Sequence, residues 1–258
     1  MWPLHSVSTS GMTCPMRLLD YSLDEPGANL ALDEALLDSV EKGRSRETLR
    51  FWESPSPFVV LGVSQKLSEE AEEATCRRMG IPILRRCSAG GCVLQAPGCL
   101  NYSLVIRYAS YPEAQTIHGS YQLILPAIAR VLEERHGIPA RREGISDIAV
   151  EGLKISGNAQ KRRKHAMLHH GTLLYDFDIS LAEQCLRHPA DRPSYRGNRT
   201  HRAFVTNIGM GRSVLTEAVI EAFDLMGPLD NAPASDEMEL VWRLVREKYA
   251  TDAWNRRR

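Results

Sequence analysis

Small residues and cations stand together at residues 84–94, which read LRRCSAGGCVL. Arg85 and Arg86 come directly before the run SAGG at 88–91. Backbone N–H groups in such a run approach an anion without intervening Cβ atoms, and glycine adopts the positive φ that such loops often need. A neighbouring guanidinium adds charge-assisted hydrogen bonds to a phosphate or carboxylate. The segment fits an anion-binding loop, although a Gly-Gly pair alone is more often only a turn.

A lysine inside an apolar segment is the second candidate. Lys154 lies between Leu153 and Ile155 and is followed by the small-residue run SGNA at 156–159. A lysine in an apolar strand must reach solvent or meet an anion, and a solvent-facing lysine on an edge strand is the commoner case. Asp147, one hairpin's length earlier, is suited to a metal or a polar substrate group.

Two adjacent histidines, His169 and His170, form the third candidate. Neighbouring side chains on a strand face opposite ways, so both imidazoles cannot easily bind one metal ion. The sequence therefore predicts no metal site by direct motif. It predicts one imidazole in a pocket and the other in a structural or exposed position.

Periodic apolar residues predict the elements that position these groups. The clearest helix is expected at 118–136, followed by Gly137. Further helices are expected at 26–43, 67–80, 179–189, 213–226 and 235–250, the last capped by Ser235. Two strands are expected in each of 48–63 and 84–106, a strand-like pattern over 140–177, and a mobile arginine-rich loop over 189–204. Central strands with helices around them indicate an α+β domain.

Length and composition restrict the class of protein. The 258 residues suffice for one large domain, and 32 basic residues balance 32 acidic ones. A net charge of zero argues against a protein whose overall electrostatic field attracts it to nucleic acid or to a membrane. The six cysteines form no C-x-x-C pair. No signal peptide or membrane span is recognisable, so the sequence predicts a cytoplasmic protein with reduced thiols.

Three motifs occur in a fixed order: RRCSAGGCVLQAPGCLNYSL from residue 85, SD at 146–147, and LKISGNAQKRRKHAMLHHGTLLYDFD from residue 153. Together they resemble the lipoate-protein ligase A family, within the wider biotin/lipoyl protein ligase superfamily. The segments ANLALDEALL and FWESPSPFVVLGVSQ also resemble that family, so the likeness runs from about residue 17 to about residue 210. It implies the fold of biotin ligases and class II aminoacyl-tRNA synthetases, a mixed, largely antiparallel sheet backed by helices.

The resemblance also implies an activity. In that family the carboxylate of lipoate or octanoate attacks the α-phosphate of ATP, with Mg²⁺ accompanying the nucleotide, and gives an acyl-adenylate and pyrophosphate. A lysine of a lipoyl acceptor domain, of the 2-oxoacid dehydrogenase E2 or glycine cleavage H protein type, then attacks the mixed anhydride and forms an amide.

The resemblance assigns roles to particular residues. Lys154 matches the catalytic lysine that touches both the acyl carbonyl and the phosphate. The ATP or adenylate site would comprise Arg86, Ser88, Gly90, Gly91, Cys92, Val93, Leu94, Asp147 and Lys154. The acyl pocket would comprise Asn101, Gly157, His170, Gly171 and Thr172. Asp147 would support the adenylate or a magnesium ion.

The chain departs from the family pattern at several positions. Ala89 replaces the first glycine of the usual SGGG run, and Gln95 stands where many relatives have histidine. We expect a flexible lead at 1–16 and a single catalytic domain at 17–258. The helices at 213–226 and 235–250 would end that domain without a separate accessory domain. A separate accessory subunit therefore remains possible.

Three alternatives to an ATP-dependent ligase stay open. An ATP-independent octanoyl or lipoyl transferase would hold its acyl group on a pocket cysteine; this chain has Ser146 at one such position, and Cys185 lies a few residues early for another. A non-catalytic lipoyl-binding relative is the second. Nucleic-acid binding through KRRK at 161–164 and the later arginines is disfavoured, because no aromatic residues interleave with the basic ones. Those basic segments suit the acidic surface of an acceptor domain better.

Overall fold

The computed structural model describes residues 16–189, 192–230 and 232–258. Its strands are β1 (Arg17–Asp20), β2 (Thr48–Trp52), β3 (Phe58–Leu61), β4 (Ile83–Arg85), β5 (Val93–Gln95), β6 (Cys99–Arg107), β7 (Ala140–Glu143), β8 (Asp147–Val150), β9 (Leu153–Arg162), β10 (Ala166–Leu174) and β11 (Leu229–Asp230). Eight strands form one sheet in the order β11-β1-β2-β6-β10-β9-β8-β7, and a small sheet has the order β4-β3-β5. In the large sheet β1 runs parallel to β2 and β11, and the other pairs are antiparallel. The expected mixed, largely antiparallel sheet is confirmed.

Helices cover both faces of the large sheet. They are α1 (Pro26–Glu41), α2 (Leu67–Glu70), α3 (Glu73–Arg78), α4 (Ile117–His136), α5 (Ile179–Cys185), α6 (His201–Phe204), α7 (Arg212–Ala222), α8 (Ser235–Leu244) and α9 (Asp252–Asn255). A π-helical turn, Val245–Tyr249, continues α8, and 3₁₀ turns occur at Pro112–Gln115 and Ser194–Arg196. None of the described helices has the length and apolar character that crossing a membrane would require.

Alternating side chains of the central strands divide the core into two layers. Leu104 and Ile106 of β6 face α4 and α7, whereas Val105 faces α1 and α8. This alternation follows from the two-residue period of a strand. Each fully buried leucine or isoleucine contributes roughly 1.5–3 kcal/mol through burial of apolar surface. Strands β6 and β10 therefore lie between two apolar layers that helices cover.

Local patterns located most elements. The predicted 118–136 helix is α4, with Thr116 accepting a hydrogen bond at its start and Gly137 in the left-handed conformation at its end. The predicted 26–43 and 213–226 helices are α1 and α7, each a few residues shorter. The expected helix over 67–80 is divided into α2 and α3, because Ala71 forms a β-bridge with Leu186.

Three expectations differ from the structure, and a fourth concerns residues that lie almost entirely outside the described part of the chain. Segment 84–106 contains three strands rather than two, and β4 and β5 pair with β3 instead of with each other. The cap of α8 is Ala234 rather than Ser235, since the Glu237 carboxylate accepts the Ala234 N–H at 2.9 Å. The described part of 189–204 includes α6 and the buried side chain of Arg196. Of the expected lead at 1–16, all but Met16 lies outside the described residues, and Met16 is buried.

Candidate functional site

A cavity of about 120 Å³ lies where the loop after β4 meets β9 and β10. Apolar side chains form part of its wall, and polar groups converge from three chain segments. It is lined by Leu30, Trp52, Val60, Arg86, Gly91, Cys92, Val93, Gln95, Asn101, Ser146, Asp147, Lys154, Gly157, Asn158, Ala159, His170, Gly171 and Thr172. The structure therefore brings most of the sequence-predicted site residues together. Ser88, Gly90 and Leu94 are absent from the lining, and Ser88 and Leu94 are buried.

Arg86 shapes the glycine loop, residues 86–91. Its Nε donates to Ser88 Oγ at 2.9 Å, and its Nη2 donates to the carbonyls of Ala89 at 2.7 Å and Gly91 at 2.8 Å. The guanidinium, expected to contact an adenylate phosphate, is thus engaged by its own loop while it borders the cavity. Gly90 has φ +93°, which an L-residue rarely adopts, whereas Ala89 does not have a positive φ. The alanine substitution therefore places no strain on the loop.

Arg85 points away from the cavity and holds the C-terminal segment. It donates to the carbonyls of Gly62 at 2.9 Å, Gln65 at 2.6 Å and Asn255 at 3.0 Å. Its own carbonyl accepts the Trp254 indole N–H at 2.7 Å. The two adjacent arginines thus have different roles, because successive side chains at the end of β4 face opposite sides.

Lys154 and Asp147 form an ion pair at the other side of the cavity. Lys154 Nζ lies 2.8 Å from Asp147 Oδ1, and the side chains are 26% and 7% exposed. Gly157 provides the space, since a Cβ there would lie 2.8 Å from the ammonium nitrogen. Tyr195 donates its hydroxyl to Asp147 Oδ2 at 2.8 Å. The ion pair therefore holds the Lys154 ammonium beside the cavity, where Asp147 orients it.

Tyr195 was missed from the sequence because it lies in the segment expected to be a mobile loop. Arg199 fixes that segment by donating to the carbonyls of Gly152 at 3.0 Å and Tyr195 at 2.6 Å. Burial, and then the neighbouring Asp147 carboxylate, raises the pKa of Tyr195. Its hydroxyl therefore stays protonated and remains a donor. The useful sequence signal was a single tyrosine within an arginine-rich stretch.

His170 borders the cavity and joins two segments that are distant in the chain. Its Nε2 lies 2.6 Å from Ser88 Oγ, and its Nδ1 lies 3.1 Å from Asp33 Oδ2. Asp33 also accepts hydrogen bonds from Arg50 at 2.7 Å and Ser103 at 2.8 Å. Burial alone would raise the pKa of Asp33, but the His170 hydrogen bond and the Arg50 charge together lower it. Asp33 and Arg50 were missed, because they lie in segments that the sequence identified only as a helix and a strand.

His169 faces the opposite side of β10, as strand alternation predicts. It is fully buried between Tyr102 and Tyr121, whose rings lie 5.8 Å and 5.6 Å from the imidazole. Burial, and secondly the charge of His170, lowers the pKa of His169 to about 3. This histidine is therefore a neutral core residue.

The described cysteines are poor nucleophiles. Cys92 borders the cavity, and burial raises the pKa of its thiol. Burial likewise raises the pKa of Cys87 and of Cys185 to about 12, and that of Cys99 further. Because the thiolate is the reactive form, a raised pKa lowers the nucleophilicity of these thiols at neutral pH. Cys14 lies outside the described residues.

Gln95 and Asn101 exchange two hydrogen bonds at the cavity wall, of 2.7 Å and 2.9 Å. Gln95 thus satisfies Asn101 at the position where the family often has histidine. Within residues 16–189, 192–230 and 232–258, no cluster of three or more His, Cys, Asp or Glu side chains is arranged to hold a metal ion.

A second cleft, of about 620 Å³, lies at the turn between β9 and β10. We call it the basic cleft; it is lined by Arg107, Tyr108, Ala109, Gln115, Arg162, Arg163, Lys164 and His165. The Arg162 guanidinium is held 5.0 Å from the Tyr108 ring centre, whereas Arg163 and Lys164 are exposed. The cleft is a cationic surface separate from the cavity.

Comparison with known proteins gives consistent matches. The model of the lipoyl protein ligase A/B catalytic domain matches residues 25–224. The octanoyltransferase LipM of Geobacillus kaustophilus is 28% identical, covering 94% of this chain and 98% of the relative. A bi-partite lipoate protein ligase from Thermoplasma acidophilum, solved in a study that includes its E2 lipoyl domain, superposes with a TM-score of 0.82 at 26% identity, covering 94% of this chain and 96% of that one. A lipoate-protein ligase A bound with ATP superposes with a TM-score of 0.80 at 25% identity, covering 95% and 99%.

Proposed function

The chain belongs to the lipoyl protein ligase A/B catalytic-domain family, and on that premise we propose that it is an ATP-dependent ligase. It would activate lipoate or octanoate as the acyl-adenylate and transfer the acyl group to a lysine of an acceptor domain. One observation carries the proposal: the glycine loop and the Lys154 ammonium border the same cavity, whose described thiol, that of Cys92, has a raised pKa.

The two chemical steps need charge stabilisation rather than a protein nucleophile. A carboxylate oxygen of the acid attacks the α-phosphorus of ATP, the bond to the bridging oxygen breaks, and pyrophosphate leaves. The acceptor amine then attacks the acyl carbon, the carbon–oxygen bond to AMP breaks, and the nitrogen loses its proton. Lys154 would stabilise negative charge that develops on the phosphate and then on the carbonyl oxygen, which lowers the barrier more than it favours the ground state.

The remaining cavity residues have supporting roles in this proposal. Backbone N–H groups near Gly91 would bind the phosphate, in a loop that the Arg86 guanidinium keeps in shape. Leu30, Trp52 and Val60 provide an apolar wall that suits a hydrocarbon chain.

Magnesium would enter as part of the ATP substrate. Mg²⁺ is usually bound through one or two carboxylates together with substrate phosphates. Asp147 is a carboxylate at the cavity wall. Because its oxygens already bind Lys154 and Tyr195, it would supply only a small part of the Mg²⁺ coordination.

An ATP-independent octanoyltransferase is the second candidate. The likeness to LipM over 98% of that relative favours it. Two observations count against a cysteine-bound acyl intermediate. The described cysteines have raised pKa values, and position 146, where one branch of transferases would have its nucleophilic cysteine, is a serine. We therefore rank the ligase first.

Acceptor selection is a further part of the proposal. Arg163 and Lys164 of the basic cleft would attract an acidic acceptor domain and increase its encounter rate. The Thermoplasma relative is described as bi-partite, so adenylation must be measured on this chain alone as well as with a candidate accessory subunit.

A single experiment separates these functions. The purified chain is incubated with an apo-form E2 lipoyl domain and lipoate, with and without ATP, and the acceptor is weighed by intact mass spectrometry. We expect one lipoyl addition that requires ATP. Acylation that requires octanoyl acyl carrier protein and is indifferent to ATP would select the transferase, and no addition in either arm would support a binding relative.

A further inference from the structure

A continuous series of hydrogen bonds connects α1 with the glycine loop. Arg50 Nη1 donates to Asp33 Oδ1 at 2.7 Å, His170 Nδ1 lies 3.1 Å from Asp33 Oδ2, and His170 Nε2 lies 2.6 Å from Ser88 Oγ. Arg86 Nε donates to the same Ser88 oxygen at 2.9 Å. Asp33, Arg50 and Ser88 are each at most 1% exposed. These three side chains are therefore shielded from competing water, whereas the His170 side chain is 13% exposed and borders the cavity.

The donors and acceptors in this series determine which ring nitrogen of His170 carries the proton. Ser88 Oγ accepts from Arg86 and is fully buried, so its own proton needs an acceptor, and among the described residues His170 Nε2 lies within hydrogen-bond distance to accept it. His170 Nε2 is then unprotonated, and the proton resides on Nδ1, which donates to the carboxylate of Asp33. A carboxylate is an acceptor only, so Asp33 selects this tautomer.

The connectivity matches that of a serine–histidine–aspartate triad, but Ser88 is not placed to act as a nucleophile. It is fully buried and does not border the cavity, and its oxygen is bonded to Arg86. The consequence is positional. Ser88 belongs to the glycine loop, so the hydrogen bond that it donates to His170 fastens that loop to β10.

We propose that Asp33 is a positioning residue that, through the tautomer of His170, keeps Ser88 and the glycine loop in the conformation that accepts the nucleotide. This inference rests on the proposed ATP-dependent function. Asp33 does not border the cavity, so its effect is transmitted through the Asp33–His170 and His170–Ser88 hydrogen bonds.

The variant Asp33→Asn tests the proposal. The amide oxygen is expected to stay on Arg50, which leaves the NH₂ group facing His170 Nδ1 and favours the opposite tautomer, in which Nε2 carries the proton. We expect the KM for ATP in lipoyl-adenylate formation to rise about tenfold, the effect of one buried hydrogen bond. The loss of lipoate affinity should be smaller than the loss of ATP affinity, because the apolar wall is untouched and the change reaches the expected acyl pocket only at His170.

Two further measurements distinguish positioning from general destabilisation. Ser88→Ala should raise the KM for ATP similarly, and the double variant should add little, since both changes break the same connection. Imidazole ¹⁵N spectra should show Nδ1–H at His170 in the unaltered chain and Nε2–H in Asp33→Asn. Asp38→Asn, on the exposed side of the same helix where it pairs with Lys42, serves as the matched control and should match the unaltered chain.

Defined results would overturn the inference. An Nε2–H tautomer in the unaltered chain would do so, as would an unchanged KM for ATP in Asp33→Asn or in Ser88→Ala. Parallel losses of ATP and lipoate binding together with a lower melting temperature would indicate a purely structural role. If the unaltered chain forms no lipoyl-adenylate at all, the proposed function fails first and the inference fails with it.

Discussion

Replacing Lys154 by Met gives the sharpest test of the proposed chemistry. Methionine keeps most of the hydrocarbon stem and removes the ammonium, which lies 2.8 Å from Asp147 and borders the cavity. We expect the variant to fold and to lose acyl activation and transfer.

The magnitude follows from the position of the charge. A unit charge about 4 Å from a developing anion contributes about 4 kcal/mol at an effective dielectric constant near 20. Removal of one preorganised donor from a site of developing charge typically lowers kcat by about 10²–10³-fold. We therefore expect Lys154→Met to lower kcat for lipoyl-adenylate formation by about 10²–10³-fold. Stability should change by about 1 kcal/mol or less, because the lysine is 26% exposed and Asp147 keeps the Tyr195 hydroxyl as a partner.

The assay is pyrophosphate release from ATP and lipoate, followed by transfer to an acceptor domain in a single turnover. Lys161→Met is the matched control, since it removes a lysine from the same strand away from the cavity. Turnover of Lys154→Met within tenfold of the unaltered chain would refute the role of the ammonium. A loss in the control of similar size would show that strand β9, rather than the charge at 154, is responsible.

Three other perturbations follow from the structure. Tyr195→Phe removes the hydroxyl donated to Asp147 at 2.8 Å, so kcat/KM in the pyrophosphate assay should fall about tenfold; an unchanged value would contradict the role of Tyr195 in orienting the ion pair. Burial, and secondly the adjacent histidine, lowers the pKa of His169 to about 3 from a reference of 6.5. Between these two pH values the unfolded chain binds more protons than the folded chain. The free energy of unfolding should therefore fall by up to about 1.4 kcal/mol per pH unit as the pH drops below 6.5. Urea titrations should show a smaller pH slope for His169→Gln, and equal slopes would contradict the assignment. Reversing Arg163 and Lys164 to Glu should raise the KM for an acceptor domain about tenfold at low ionic strength and leave lipoyl-adenylate formation unchanged; an increase that persists at high salt would argue against electrostatic docking.

The sequence by itself determined the features that depend on neighbouring residues. Helix α4 follows from apolar spacing, a threonine at its start and Gly137 at its end. The separation of His169 from His170 follows from strand alternation. The order of three motifs, each weak alone, indicated both the family and the residues around Lys154 that border the cavity. The helix and histidine predictions are correct because helix and strand periods are encoded within a few residues, whereas the residues around Lys154 were assigned through the family resemblance.

Tertiary structure alone decided which groups pair across the chain. Asp33 meets His170 from 137 residues away, and Tyr195 meets Asp147 from 48 residues away. The pairing of β3 with both β4 and β5 could not be predicted from the sequence either, because it depends on the order of strands in the sheet and not on the residue pattern of any one strand. Hydrogen bonds of this kind form where packing brings donors and acceptors together at a buried or part-buried site. The spacing of residues along the chain does not determine which of these donors and acceptors come into contact. The residues that orient the proposed catalytic groups could therefore be identified only from the fold.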